Sequence, residues 1–172
     1  MAWVLEEAVI CCLNQRGKMI IELGHGTLQS DAPAANSLFA GLRAMVFESI
    51  GPVRHEISVP FHDSQVRGAA LLIQTGWDHR WATDAYWEPG PFLGDHLIFR
   101  MVQSGVRVVG VDFPVTERSL ETRLITTGKI PIVENLHGLA SMPRVGFRFS
   151  ALPLEQGTSS LYAVHAFAEI VK

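Results

Sequence analysis

The sequence predicts a mixed-sheet α/β domain, and three observations predict it. Continuous apolar runs alternate with helix-like stretches through the middle of the chain. Strand-like segments dominate both ends. Two of those at the end alternate with the two-residue period of an antiparallel pair. No internal repeat or low-complexity linker divides the 172 residues, so 1–172 reads as a single domain with a sizeable core.

The elements follow in order. "AVICCL" (8–13) and "KMIIEL" (18–23) read as strands split by the turn "NQRG". "NSLFAGLRAMVFESIG" (36–51) predicts a helix: Leu38, Leu42, Met45 and Val46 recur at helical spacing, Asn36 or Ser37 can cap its start, and Gly51 follows its end. "AALLIQT" (69–75), bounded by Gly68 and Gly76, is a buried strand. "PFLGDHLIFRMVQSG" (91–105) predicts a second helix, with a proline at its start and Gly105 after it. "VRVVGVD" (106–112) is another buried strand. "ERSLETRLITTG" (117–128) predicts a third helix, and "IPIVEN" (130–135) a strand after it. "FRFSAL" (147–152) alternates cleanly. In "LYAVHAFAEI" (161–170), Tyr162, Val164, Ala166, Ala168 and Ile170 share one face, and Leu161, His165 and Glu169 the other.

Composition narrows the function. Hydrophobic residues make up 48% of the chain and its mean hydropathy is +0.20, so it is expected to fold by itself. A net charge of −3 leaves no basic surplus for a phosphate backbone, which argues against nucleic acid. No apolar run approaches the roughly 20 residues of a membrane helix. Glu6 and Glu7 stand where a signal peptide would be basic. Cys11 and Cys12 are adjacent, so a disulfide between them closes no useful loop. Two packed thiols in a reducing compartment, hence a cytoplasmic protein, is the expectation.

Three stretches could carry chemistry. "GHGTLQSDAP" (24–33) reads as a loop between a strand and a helix. Its His25 and Asp31 suit a divalent ion, or else cap a turn and the helix beyond. "TGWDHRWATDAYW" (75–87) sets Trp77, Trp81, Tyr86 and Trp87 beside polar groups just after a buried strand. That suits a pocket for a flat ligand, or an irregular loop pinned by its own aromatics. Glu134 ends an apolar strand, and its partly buried carboxylate needs a partner, a metal or a proton.

Together these stretches resemble the cyclase family of metal-dependent hydrolases, which includes bacterial kynurenine formamidases and isatin hydrolases. "RGAALLIQTGWDHRWATDAYWEPGPFL", "SGVRVVGVDFP" and "GKIPIVENLHGLASMPRVGFRFSALPL" carry the resemblance, in the family's order, between about Arg67 and Ile170. It implies a swivelling β/β/α-type domain with helices packed around a central sheet or partial barrel. It implies hydrolysis of an aryl formamide, lactam or lactone by a metal-activated water. It also implies a small aromatic amide or acid as ligand, and a homodimer or dimer of dimers.

The family motif has the form His-x-Gly-Thr-His-x-Asp-Ala-Pro-x-His, and its histidines and aspartate hold one or two ions, usually zinc or manganese. Aligned on Asp-Ala-Pro, His25 and Asp31 take ligand positions, and Glu134 takes the later glutamate position. Gln29 stands at the second histidine, and Ala35 at the general acid/base histidine. The helix histidine falls on Glu121 or Thr122. Aligning on Gly26-Thr27 instead puts Leu28 at the second histidine. Only 24 residues precede His25, and none resembles the family's opening "DLS" strand.

These departures change the expected chemistry. His25, Asp31 and Glu134, with Gln29 and Glu121 as further oxygen donors, favour a harder ion than zinc, bound weakly. Losing a general acid/base costs about 10²–10⁴ in rate. His79, His62 or His165 are the candidates to replace it. Two readings remain: a hydrolase with an altered site, and a catalytically impaired scaffold that binds a small molecule or partner.

Overall fold

The computed structural model describes residues 11–13, 19–29, 39–49, 56–115, 130–154 and 161–171. Seven of its strands form a ring. They are β2 (Met19–Gln29), β3 (Leu42–Glu48), β5 (Ala70–Gln74), β7 (Val108–Val111), β8 (Ile132–Glu134), β9 (Phe147–Pro153) and β10 (Leu161–Ile170). Their order is β2-β10-β9-β3-β5-β7-β8, and β8 pairs back onto the end of β2. The strand β1 (Cys11–Leu13) adds to the start of β2. A small parallel pair, β4 (Glu56–Ile57) with β6 (Phe92–Leu93), lies apart from the ring. Among the described residues the α-helices are α1 (Asp63–Val66) and α2 (Asp95–Ser104).

β3, β5, β7 and β8 run parallel, and every other pairing in the ring is antiparallel. The parallel strands are buried on both faces. Leu72, Val108 and Val133 point into the ring with Leu23, Phe147, Phe149, Val164 and Ala166. Leu71, Ile73, Val109, Val111 and Ile132 point outward, where Leu97, Ile98 and Met101 of α2 cover them with Trp77 and Tyr86. Parallel strands need such double cover, which is why "AALLIQT" and "VRVVGVD" are continuous apolar runs. On β10, Val164, Ala166 and Ala168 are buried, while His165 and Glu169 are partly exposed, as the alternation predicts.

β2 carries a bulge. Glu22 pairs with Phe167 and His25 with His165, so Leu23 and Gly24 together oppose Ala166. Gly24 has φ +91°, a conformation glycine adopts without strain. Ile21 and Leu23 face inward before the bulge. After it the phase reverses: Gly26, opposite buried Val164, faces inward, and His25 is exposed on the outer face.

Two expectations are corrected. The stretch 36–51 is not a helix, since its described part holds β3. Ala44, Met45 and Val46 are buried in succession between β9 and β5, and a short apolar run with both faces covered mimics helical spacing. The loop read from Gly24 is instead strand through Gln29, because β2 pairs with β10 on one edge and β8 on the other. The second predicted helix is present but begins at Asp95, after β6, and ends at Gly105 with φ +74°. Asp31, Ala35, Glu121, Thr122 and the third predicted helix lie outside the described residues.

Candidate functional site

Closure of the ring builds the site. Thr27 pairs with Glu134 across β2 and β8. On β8, Ile132 points outward and Val133 inward, so by strand alternation Glu134 faces outward, on the same side of the ring as His25. A Cβ on Gly26 would lie 2.5 Å from the Glu134 carbonyl oxygen, so glycine permits this approach. Glu134 is only 7% exposed, and its Oε2 accepts the Val115 N–H at 2.5 Å. The His25 ring stacks on that of His165, with centroids 5.5 Å apart, and His165 Nε2 contacts Glu22 Oε2.

The aromatic stretch divides into a buried and an exposed half. Trp77 and Tyr86 are fully buried. Trp77 Nε1 donates to the Tyr86 carbonyl at 2.9 Å, and the Tyr86 hydroxyl donates to Asn135 Oδ1 at 2.7 Å. Trp77 is therefore a core residue rather than a pocket wall: its ring fills the space beside Gly90 that a Cβ would need. Trp81 and Trp87 are 47% and 66% exposed, and both meet the Tyr86 ring edge-on. These two keep surface for a ligand.

A carboxylate network anchors the turn. Asp112 Oδ2 accepts the N–H groups of Thr75 and Gly76 at 2.7 and 2.8 Å, and Oδ1 accepts the Thr75 hydroxyl at 2.6 Å. Burial pushes its carboxyl up to about 6, against the pull of those hydrogen bonds. Burial, with Asp112, Glu134 and Asp78 near, also raises the Tyr86 phenol. Asp78 Oδ2 accepts the Gly138 N–H at 2.9 Å, which ties the turn to the loop after β8.

That loop brings in a residue the motifs did not single out. The His137 N–H donates to the Leu23 carbonyl at 2.9 Å, at the bulge before His25. Its ring lies against Gly24, where a Cβ would come within 2.8 Å of its Cδ2. Trp81 meets the same ring at 4.6 Å between centroids. Burial holds the His137 imidazole below its ordinary value, while Asp78 works the other way. The only sequence signal was its place three residues after Glu134. Of the expected replacements for the missing histidine, His62 and His79 are exposed, and His165 sits beside His25.

The donor set fits an ion in part. His25 and Glu134 share a face and suit an oxygen-preferring divalent cation, but no group of three His, Cys, Asp or Glu among the described residues forms a metal site. Asp31 would have to complete it.

A family model described as putative cyclase matches residues 53–118. That span holds the aromatic turn, α2 and Asp112, and leaves out His25 and Glu134. No curated protein matches the chain. Among solved structures, isatin hydrolase A from Ralstonia solanacearum superposes with a TM-score of 0.66 at 15% identity, over 92% of this chain and 86% of that one. Isatin hydrolase A from Labrenzia aggregata, bound to benzyl benzoate, gives 0.66 at 14% identity, over 86% and 73%. A predicted metal-dependent hydrolase from Bacillus stearothermophilus gives 0.61 at 13% identity, over 93% and 85%. The mixed-sheet fold expected from the resemblance is the fold observed. No helix among the described residues is long and apolar enough to cross a membrane.

Proposed function

We propose that this chain, which has the cyclase fold and matches the putative cyclase family over residues 53–118, is a hydrolase of an aryl formamide, lactam or lactone. One observation carries the reading: the β2–β8 pairing sets His25 and buried Glu134 on one outer face, against the turn that carries Trp81. The isatin hydrolases that share the fold act, by name, on a compact aromatic substrate, which agrees with exposed Trp81 and Trp87 as stacking surfaces. A divalent ion on His25, Asp31 and Glu134 would supply an activated water. The chain's own part is to seat the aromatic ring and hold the carbonyl before that face.

The test is hydrolysis of N-formylkynurenine and isatin by protein dialysed against manganese and, separately, against a chelator. Turnover with manganese that is lost in Asp31→Ala supports the reading. Stoichiometric zinc that survives replacement of His25, Asp31 and Glu134 together rejects this placement of the ion.

The second reading is a catalytically impaired scaffold. Gln29 and Ala35, at positions of family histidines, favour it. Under it, kynurenine or anthranilate still perturbs tryptophan fluorescence, Trp81→Ala abolishes the signal, and no hydrolysis occurs. Under either reading we propose a homodimer, which a monomer mass by light scattering at micromolar concentration rejects.

A further inference from the structure

We infer that His137, set by Asp78, is the acid–base residue of this site, in place of the histidine that the motif lacks at Ala35. The inference rests on the hydrolase reading above. Two ring contacts and two backbone hydrogen bonds place the imidazole. Its backbone N–H donates to the Leu23 carbonyl, within the bulge and two residues before His25. Its ring lies on Gly24, which has no side chain to keep it away. Trp81 closes a third side at 74° to the ring. Asp78, bonded to the next residue's N–H, brings its charge to bear on the imidazole.

The consequence is chemical. A flat ligand stacked on the exposed face of Trp81 lies next to the His137 imidazole, which burial biases toward its neutral form, three residues from Glu134 along the chain. Neutral imidazole is the form that accepts a proton. In the proposed step, the oxygen of water bonds to the acyl carbon and its proton passes to a ring nitrogen of His137. The acyl C–N or C–O bond then breaks, and the same proton leaves with the amine or alcohol. Asp78 stabilises the imidazolium between the two transfers and acts as a positioning residue. His25 and His165 are less suited, because they stack on each other and Glu22 already holds His165 Nε2.

The experiment compares wild type, His137→Gln and Asp78→Asn, using N-formylkynurenine for turnover and anthranilate for binding. His137→Gln is expected to lower kcat by about 10²–10⁴. Anthranilate affinity and melting temperature should stay near wild type, and added imidazole should restore part of the rate. Asp78→Asn retains an oxygen for the Gly138 N–H but loses the charge that favours imidazolium, so the acidic limb of the kcat profile should move to lower pH. If His137→Gln does not fold, that shift decides. An active wild type with an equally active His137→Gln, or an unmoved limb in Asp78→Asn, overturns the inference and leaves the hydrolase reading standing. A wild type without turnover overturns both.

Discussion

The two halves of the ring solve the same packing problem differently. In the parallel half, β3, β5, β7 and β8 bury both faces, one into the ring and one under α2 and the aromatic turn. In the antiparallel half, β2, β9 and β10 bury chiefly the inner face, with Ser150 a buried exception on the outer face of β9, and leave Glu22, His25, Arg148 and His165 wholly or partly open to solvent. A parallel sheet needs two apolar covers, whereas an antiparallel one tolerates water on one side. The candidate site lies on the seam between them. There a buried carboxylate from the double-covered half and an exposed imidazole from the open half face the same side of the ring.

The strongest way to break this comparison is to remove side chains from both faces of β5. Leu71→Ala and Leu72→Ala should each cost about 2–5 kcal/mol in urea unfolding, although they point in opposite directions. On β9, exposed Arg148→Ala should cost about 1 kcal/mol or less, chiefly its bond to the Gly41 carbonyl. A Leu71→Ala variant as stable as wild type would show that the outer cover is not packed.

Next is the seam itself. Gly26→Ala sets a methyl group against the Glu134 backbone and should cost up to about 3 kcal/mol. Gly41→Ala is the control: with φ +65° and no atom within 4 Å of a new Cβ, it should show only the conformational cost of about 1–2 kcal/mol. Equal losses in the two variants would mean that the β2–β8 approach is not tight.

Buried Asp112 sharpens the comparison through pH. Its carboxyl, raised from 3.8 to about 6, is harder to ionise in the fold than in the unfolded chain. Its ionisation penalty is absent below pH 4, grows as pH rises and is complete above pH 6, at about 2–3 kcal/mol. Stability from this group therefore increases as pH falls from 6 to 4, and Asp112→Asn should remove that slope. His137, lowered by burial, acts in the opposite sense, since the unfolded chain takes its proton first as pH falls. Urea midpoints of wild type, Asp112→Asn and His137→Gln at pH 4, 5, 6 and 7 separate the two.

The smallest effect belongs to a surface pair. Arg144 and Glu48, with side chains 49% and 64% exposed, meet at 2.9 Å, and Glu48→Gln should change stability by less than about 0.5 kcal/mol.

What the sequence made legible follows the same division. The buried runs of β5 and β7 and the alternation of β10 were readable, because burial on two faces and on one leaves different periods. β3 was misread as a helix because a double-covered strand has no period to distinguish it from one. Glu134 could be singled out as a charge ending an apolar strand. His25 could be singled out weakly by its spacing from Asp31 and more firmly through the motif, but its place in a strand could not, since β2 owes its length to partners more than 100 residues away. Trp77 and Trp81 looked alike in the aromatic stretch, yet one fills the core and the other faces solvent. Gly90, 13 residues further on, makes room for the first. His137 was the hardest to find, because its contacts are with Leu23, Gly24 and Trp81, all distant along the chain.

The extra residue at Gly24 makes β2 two half-strands of opposite phase joined at one point. Regular pairing through this point, with no bulge, would leave Ile21 and Leu23 where they are but invert everything after them. His25 would turn into the apolar lumen and Gly26 out to solvent. The bulge takes up the odd residue, so a variant lacking Gly24 should pair one to one, with Leu23 opposite Ala166 and His25 still opposite His165 on the outer face. What that deletion should remove is the bare backbone on which the His137 ring lies.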